Sequence, residues 1–232
     1  MKRDIILKFI GFIILNFTGI MANSQNKIPT GQLFNEMKKM RQVLHNSPEY
    51  SHKEEKTAQI LLGYIEPTKP DLLHKNIGGH GIVAGYKGKG DGPSVMFRCE
   101  MDAIRTEKGF EHLCGHDGHM SILLGLSQLL SKNRDFNGTV WLLFQPAEEV
   151  GEGASMMAKD LKVLGIKFDY AFALHNKPGY PLNSVIIHKG VYAAGSVGME
   201  IRFKGSPSHA AHPEQAVSPL NAIIATADYM KM

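Results

Sequence analysis

The stretch SVMFRCEMD, residues 94–102, sets a short apolar run directly against two acids, Glu100 and Asp102. A run this brief and this apolar fits a buried strand, and polar residues packed behind it fit the place where such a strand ends. Two more runs repeat the arrangement: TVWLLF (139–144) is followed by QPAEE, and DYAFAL (169–174) by HN. Helical patterns separate them, one from about 119 to 131 and one in GASMMAKDLKVLG (153–165). Strands alternating with helices predict an α/β fold with a mainly parallel sheet and helices on both faces. In open sheets of this kind ligands gather at the carboxyl ends of the strands. Three strand ends that each deliver acids or a histidine therefore mark a site.

Upstream, apolar residues at helical spacing from 31 to 44 predict a helix with Thr30 as its cap, and KEEKTAQILLGYIE (53–66) predicts a second. GGHGIVAGYKGKGDGP (78–93) reads as a short strand and a glycine-rich turn. After Gly190 the texture changes. GSVGMEIRFKG (195–205) alternates like a half-exposed strand, SPSHAAHPEQAV is a loop, and SPLNAIIATADYM (218–230) starts a helix with Ser218 as cap and Pro219 in its first turn. This predicts the opening of a second, α+β domain.

Of the 232 residues, 43% are hydrophobic and 21% charged, with a formal net charge of +4. That is the composition of a folded chain. Its basic residues are scattered and not interleaved with aromatics, which argues against nucleic acid as a partner. The amino terminus differs: MKRD, then the uncharged FIGFIILNFTGIMA (9–22), then small residues. This order is that of a secretory signal peptide cleaved after Ser24, and the apolar run falls short of the roughly 20 residues of a bilayer span. The expectation is an exported protein, periplasmic or secreted, with no stable membrane span after cleavage.

Chemistry concentrates in HLCGHDGHMSILLG (112–125). Cys114 and His116, two apart, can aim at one point only from an irregular turn, which Gly115 and Gly118 permit. Joined by Glu148, Glu149 and His175 from the other strand ends, they form a thiolate–imidazole–carboxylate set suited to zinc or a neighbouring divalent metal. Asp117 and His119 are candidates to hydrogen-bond the ligands. Of the two glutamates, one can bind metal while its neighbour takes a proton from activated water. A Cys99–Cys114 disulfide is the competing use of the two cysteines. Neither a Gly-x-Ser-x-Gly elbow nor a P-loop occurs.

RCEMDA, HLCGHDGHMSILLG, FQPAEEVGEGA, ALHN and GSPSHAAHP occur in the order and spacing of the metal-dependent amidohydrolases and peptidases. The chain resembles most the branch of hippurate hydrolases, N-acyl-amino-acid amidohydrolases and auxin-conjugate hydrolases. LHNSPEYSHKEEKTA (44–58) matches that branch's first helical segment. The resemblance implies a zinc-exopeptidase-like catalytic domain (25–192) followed by the first part of an inserted lid and dimerisation domain (193–232). It implies two divalent ions (Mn, Zn, Co or Ni) held by Cys114, His116, Glu149 and His175, with Asp102 beneath them. Glu148 becomes the general base, and His209 the lid histidine that polarises the scissile carbonyl across a homodimer interface. The implied substrate is a small N-acyl amino acid or short peptide. A metallodipeptidase or carboxypeptidase of the same fold, and a non-catalytic metal-binding relic, are the other readings. The ligand cysteine favours the amidohydrolase, since the peptidase branches carry an aspartate there.

Two departures qualify the resemblance. The family's Asp-x-Asp-Ala-Leu-Pro here reads Glu100-Met101-Asp102-Ala103-Ile104-Arg105, which keeps the charge and loses the proline, with a looser loop expected. The sequence also stops within the lid's first helix, before the family's last histidine ligand. The expectation is a truncated member, weakly active or inactive by itself.

Overall fold

Alternation within two strands explains how one sheet serves two cores. In β2 (Gly81–Lys87), Ile82, Ala84 and Tyr86 are buried on one face while Val83 is buried on the other. In β6 (Asn137–Gln145), Leu142 and Phe144 join the first set, Trp141 and Leu143 the second. A period of two on both faces is what a sheet covered by helices on each side requires. The computed structural model describes residues 30–181, 184–191, 195 and 199–231. The expected signal peptide (1–24) lies outside the described residues.

The chain enters through α1 (Thr30–His45) and α2 (Glu55–Ile65), then runs through β1 (Leu72–Ile77), β2 and β3 (Gly90–Glu100). A small hairpin of β4 (Ile104–Thr106) and β5 (Gly109–Glu111) leads to α3 (His116–Lys132) and β6. Then come α4 (Gly153–Val163) and β7 (Tyr170–Ala173). The sheet order is β1-β2-β6-β3-β7. β3 pairs in parallel with β6 and β7, whereas β1 and β2 run antiparallel at the other edge. The three runs read as strands are thus the parallel part. β1 (LLHKNI) escaped the sequence reading because it is only half-buried and alternates weakly.

Met40 and Leu44 of α1, Leu61 and Ile65 of α2, and Leu123 and Leu124 of α3 cover the face carrying Tyr86 and Phe144. Each fully buried Leu, Ile or Phe contributes on the order of 2 kcal/mol. Met157 and Leu161 of α4 cover the opposite face with Val83, Trp141 and Leu143. Gly85 lies opposite Trp141 in the β2–β6 register, and a Cβ there would come within 2.8 Å of the indole ring.

Three expectations shift. α3 starts at His116, one turn earlier than its apolar pattern shows, because its first turn is built from polar residues. The segment after Asp102, expected as a loop, is paired as the β4–β5 hairpin, with Phe110 stacked on Tyr50. Residues 199–205, expected as strand, form none; Ser206 makes an isolated bridge with Val217. An alternating segment becomes a strand only when a neighbour takes its backbone groups.

The chain divides into two units, Met1–Gly179 and Tyr180–Met232. The second contains a short turn of 3-10 helix (Pro213–Gln215) and α5 (Leu220–Met230), which has no buried residue. The Ser218 hydroxyl accepts the Leu220 N–H at 3.3 Å, and Pro219 stands immediately before the helix. Among the described residues, no helix is long and apolar enough to cross a membrane.

Candidate metal centre

The carboxyl ends of β3, β6 and β7 meet the start of α3. Asp102 follows β3, Glu148 and Glu149 follow β6, His175 follows β7, and Cys114 and His116 flank Gly115. Gly115 has φ 88°, and a Cβ at this position would lie 2.5 Å from the Asn176 Oδ1. Both the left-handed backbone and the close approach demand glycine, and together they let residues 114 and 116 face one point.

Donor atoms of Cys114, His116 and Glu149 lie within 4.8 Å of one another. So do those of Asp102, His116 and Glu148, and those of His116, His119 and His175. His116 belongs to all three groups. Its Nδ1–H donates to the Asp102 carbonyl at 2.8 Å, which leaves the lone pair on Nε2. That Nε2 is buried without a hydrogen-bond partner, 3.7 Å from a Glu148 oxygen and 3.8 Å from Glu149 Oε1. Glu149 Oε1 and Asp102 Oδ1 are likewise buried and unpartnered. Polar atoms left this way are costly, and a divalent cation is the ligand that satisfies them together. The residues present therefore fit a metal.

His119 is near enough to be a ligand, but both of its nitrogens are engaged. Nδ1–H donates to Glu100 Oε2 at 2.9 Å, and Nε2 accepts the Asn176 N–H at 3.0 Å. The ring ties the end of β3 to the segment carrying His175, whose ring centroid is 4.6 Å away. Asp117, fully buried, accepts from Arg41 and His45 on α1 and so fixes the first turn of α3. His209 lies in the second unit. Both cysteines are free thiols, Cys99 buried and Cys114 half-buried, so the disulfide reading fails.

Negative charge dominates this pocket. Hydrogen bonding to Glu149, then burial and the surrounding carboxylates, push the Cys114 thiol up to about 11. Burial raises Glu148, reinforced by Glu149 and Glu100 against the pull of His116. Burial works against ionised Asp102, but the adjacent His116 imidazole, with bonds from the Glu149 N–H and Ser51, outweighs it and holds the carboxyl below its usual range. Burial also works against protonated His116, and Asp102 with Glu100 outweighs it, so the imidazole is raised. At neutrality the Cys114 thiol holds a proton that a cation would displace.

Sequence reasoning missed the supports. Ser51 Oγ donates to Asp102 Oδ2 at 2.7 Å, and that same oxygen accepts the Glu149 N–H at 2.9 Å. Glu54 Oε1 accepts the Ala147 N–H at 2.7 Å. No local pattern signals contacts that span 47 to 93 residues.

His112 is 5% exposed with neither ring nitrogen bonded, and burial lowers its pKa to about 4. A depressed imidazole contributes stability above its unfolded value of 6.5, lost as pH falls toward 4. The loss is about 3 kcal/mol over that window. Denaturant midpoints of metal-free protein between pH 7 and 4 should show it as a steep acid limb, and His112→Leu should flatten that limb. An unchanged slope in the variant would place the acid sensitivity elsewhere.

The sequence profile of Peptidase family M20/M25/M40 matches residues 96–228. The N-acetylcysteine deacetylase of Bacillus subtilis (strain 168) is 31% identical over 195 residues, covering 79% of this chain and 51% of that protein. An Arabidopsis thaliana protein, IAA-amino acid hydrolase ILR1-like 2, is 30% identical over 203 residues, 82% of this chain and 45% of its own. The chain thus spans about half the length of the curated relatives it matches. Among solved structures, the Bacillus subtilis YXEP protein, described as a dinuclear metal binding peptidase from the M20 family, superposes with a TM-score of 0.59 at 30% identity. That match covers 65% of this chain and 45% of the other.

Proposed function

The chain belongs to peptidase family M20/M25/M40, and from that premise we propose that it is a metal-dependent amidohydrolase releasing a carboxylic acid and an amino acid from an N-acyl amino acid. The observation that carries the proposal is the convergence of unpartnered His116 Nε2 and Glu149 Oε1 beside Cys114 and Glu148. Relatives named for N-acetylcysteine and for an IAA-amino acid support the substrate class, and the dinuclear neighbour supports two ions. Cys114, His116, Glu149 and His175 hold the metals; Mn, Zn, Co and Ni all suit this donor set.

Bound there, divalent cations acidify water and polarise an amide carbonyl. Glu148, whose carboxyl is already raised by burial, takes a proton from the attacking water and returns it to the departing nitrogen as the C–N bond breaks. Asp102 keeps the His116 imidazole turned so that Nε2 faces inward. His209 of a second copy steadies the oxygen on which charge develops. The same reading includes homodimerisation through the second unit, and export directed by residues 1–24.

The test is amino-acid release from N-acetyl-L-cysteine and from N-acyl aromatic amino acids by the full-length protein. Metal-depleted protein should be inactive, and Mn, Zn, Co or Ni should restore hydrolysis. Hydrolysis indifferent to chelation would sink the proposal.

A further inference from the structure

The strongest unexplained feature is a carboxylate with no ordinary reason to be buried. Glu54 directly precedes α2, where an acid usually caps the helix, yet its side chain makes no capping bond. Glu49 does that work: its carboxylate accepts the N–H groups of Lys56 (3.1 Å) and Thr57 (2.7 Å) and the Thr57 hydroxyl (2.8 Å). Glu54 instead turns inward and is fully buried, with one oxygen on the Ala147 N–H and the other, Oε2, unpartnered. Burial and nearby Asp102 raise its carboxyl, partly offset by backbone hydrogen bonds.

Ala147 has φ 48°, a left-handed conformation uncommon for a residue with a Cβ. Its carbonyl is held by the N–H groups of Glu152 (3.2 Å) and Gly153 (3.0 Å), and its own N–H by Glu54. A Cβ on Gly153 would come within 1.6 Å of the Pro146 carbonyl oxygen, so the turn has no room to slide. On the far side of Glu148, the Glu149 N–H is held by Asp102. Buried carboxylates thus grip the backbone on both sides of Glu148. His52, at φ 67° in the same loop as Glu54, contacts Glu152 at 2.9 Å.

We propose that Glu54 is a positioning residue, whose buried oxygen locks Ala147 in its left-handed turn and thereby aims Glu148 and Glu149 at the metal centre. This rests on the reading of Glu148 as base and Glu149 as ligand. Only the acceptor oxygen matters in this role, so Glu54→Gln should behave as the parent and Glu54→Ala should not. Gly at 147 adopts a positive φ without strain, so Ala147→Gly should relieve the need for Glu54.

The test is a cobalt(II) absorbance titration with amide exchange over residues 146–151, then kcat and KM for N-acetyl-L-cysteine. Glu54→Ala should weaken cobalt binding about tenfold and lower kcat about 30-fold, with KM within about threefold. Glu54→Gln should stay within about threefold of the parent, and E54A/A147G should recover most of both losses. Faster exchange in E54A should be confined to 146–151. Unchanged cobalt affinity in E54A, equal damage in E54Q, or no recovery in the double variant overturns the proposal. If E54A does not fold, E54Q and the double variant decide. Should Glu148→Gln keep full activity while E54A loses cobalt affinity, the base reading fails and the positioning of Glu149 stands.

Discussion

Glu148→Gln is expected to slow amide hydrolysis by about 10³- to 10⁴-fold, the upper part of the range for loss of a general base. Glutamine keeps the size and the polar contacts of the side chain but cannot accept a proton. Because Glu148 is the more exposed of the pair, 37% against 19% for the side chain, and Glu149 carries the unpartnered buried oxygen, metal binding should be retained. The checks are single-substrate kinetics and metal stoichiometry on the same preparation. A variant that loses metal and rate together would exchange the roles of the two glutamates. A variant that keeps its rate would remove Glu148 from the chemistry.

Cys114→Ala carries the second large effect. Removing one donor from a site built on unpaired atoms is expected to weaken metal binding by at least about 100-fold. The thiol also sets how binding depends on pH. Held near 11 by Glu149 and burial, it is protonated at neutrality, so metal must displace that proton. Rising pH favours the thiolate, and affinity should climb by about tenfold per unit from pH 7 to 9 in the parent, a slope that Cys114→Ala loses. Only about one in 10⁴ of the metal-free thiols is ionised at pH 7, so alkylation should be slow after chelation and accelerate with pH. Titrations with a competing chelator at several pH values measure both effects. A parent slope that survives in the variant would assign the displaced proton to another ligand.

The strand ends were legible in the sequence because their runs are short and apolar and polar residues stop each one abruptly; β6 is buried as such a run implies, whereas β7, at the edge of the sheet, is mostly exposed. Cys114, His116, Glu148, Glu149 and His175 could be grouped before any coordinates, since parallel strands leave their carboxyl ends at one edge. β1 was not legible: its residues are half-buried, and it exists through pairing with β2. The strand reading erred at residues 199–205 for the complementary reason, since alternation without a paired neighbour yields none.

By itself, the sequence determined the α/β class, the edge of the sheet that carries the site, and the donor types gathered there. These follow from local periodicity and from residue chemistry, which need no partner. Only the tertiary structure decided which atoms are spent. His119 is near enough to the other donors to be a ligand and is occupied by Glu100 and Asn176. Glu54, immediately before α2, is spent on the Ala147 N–H in the turn before Glu148. Such assignments depend on contacts between residues up to 93 positions apart, which only the folded chain brings within hydrogen-bonding distance.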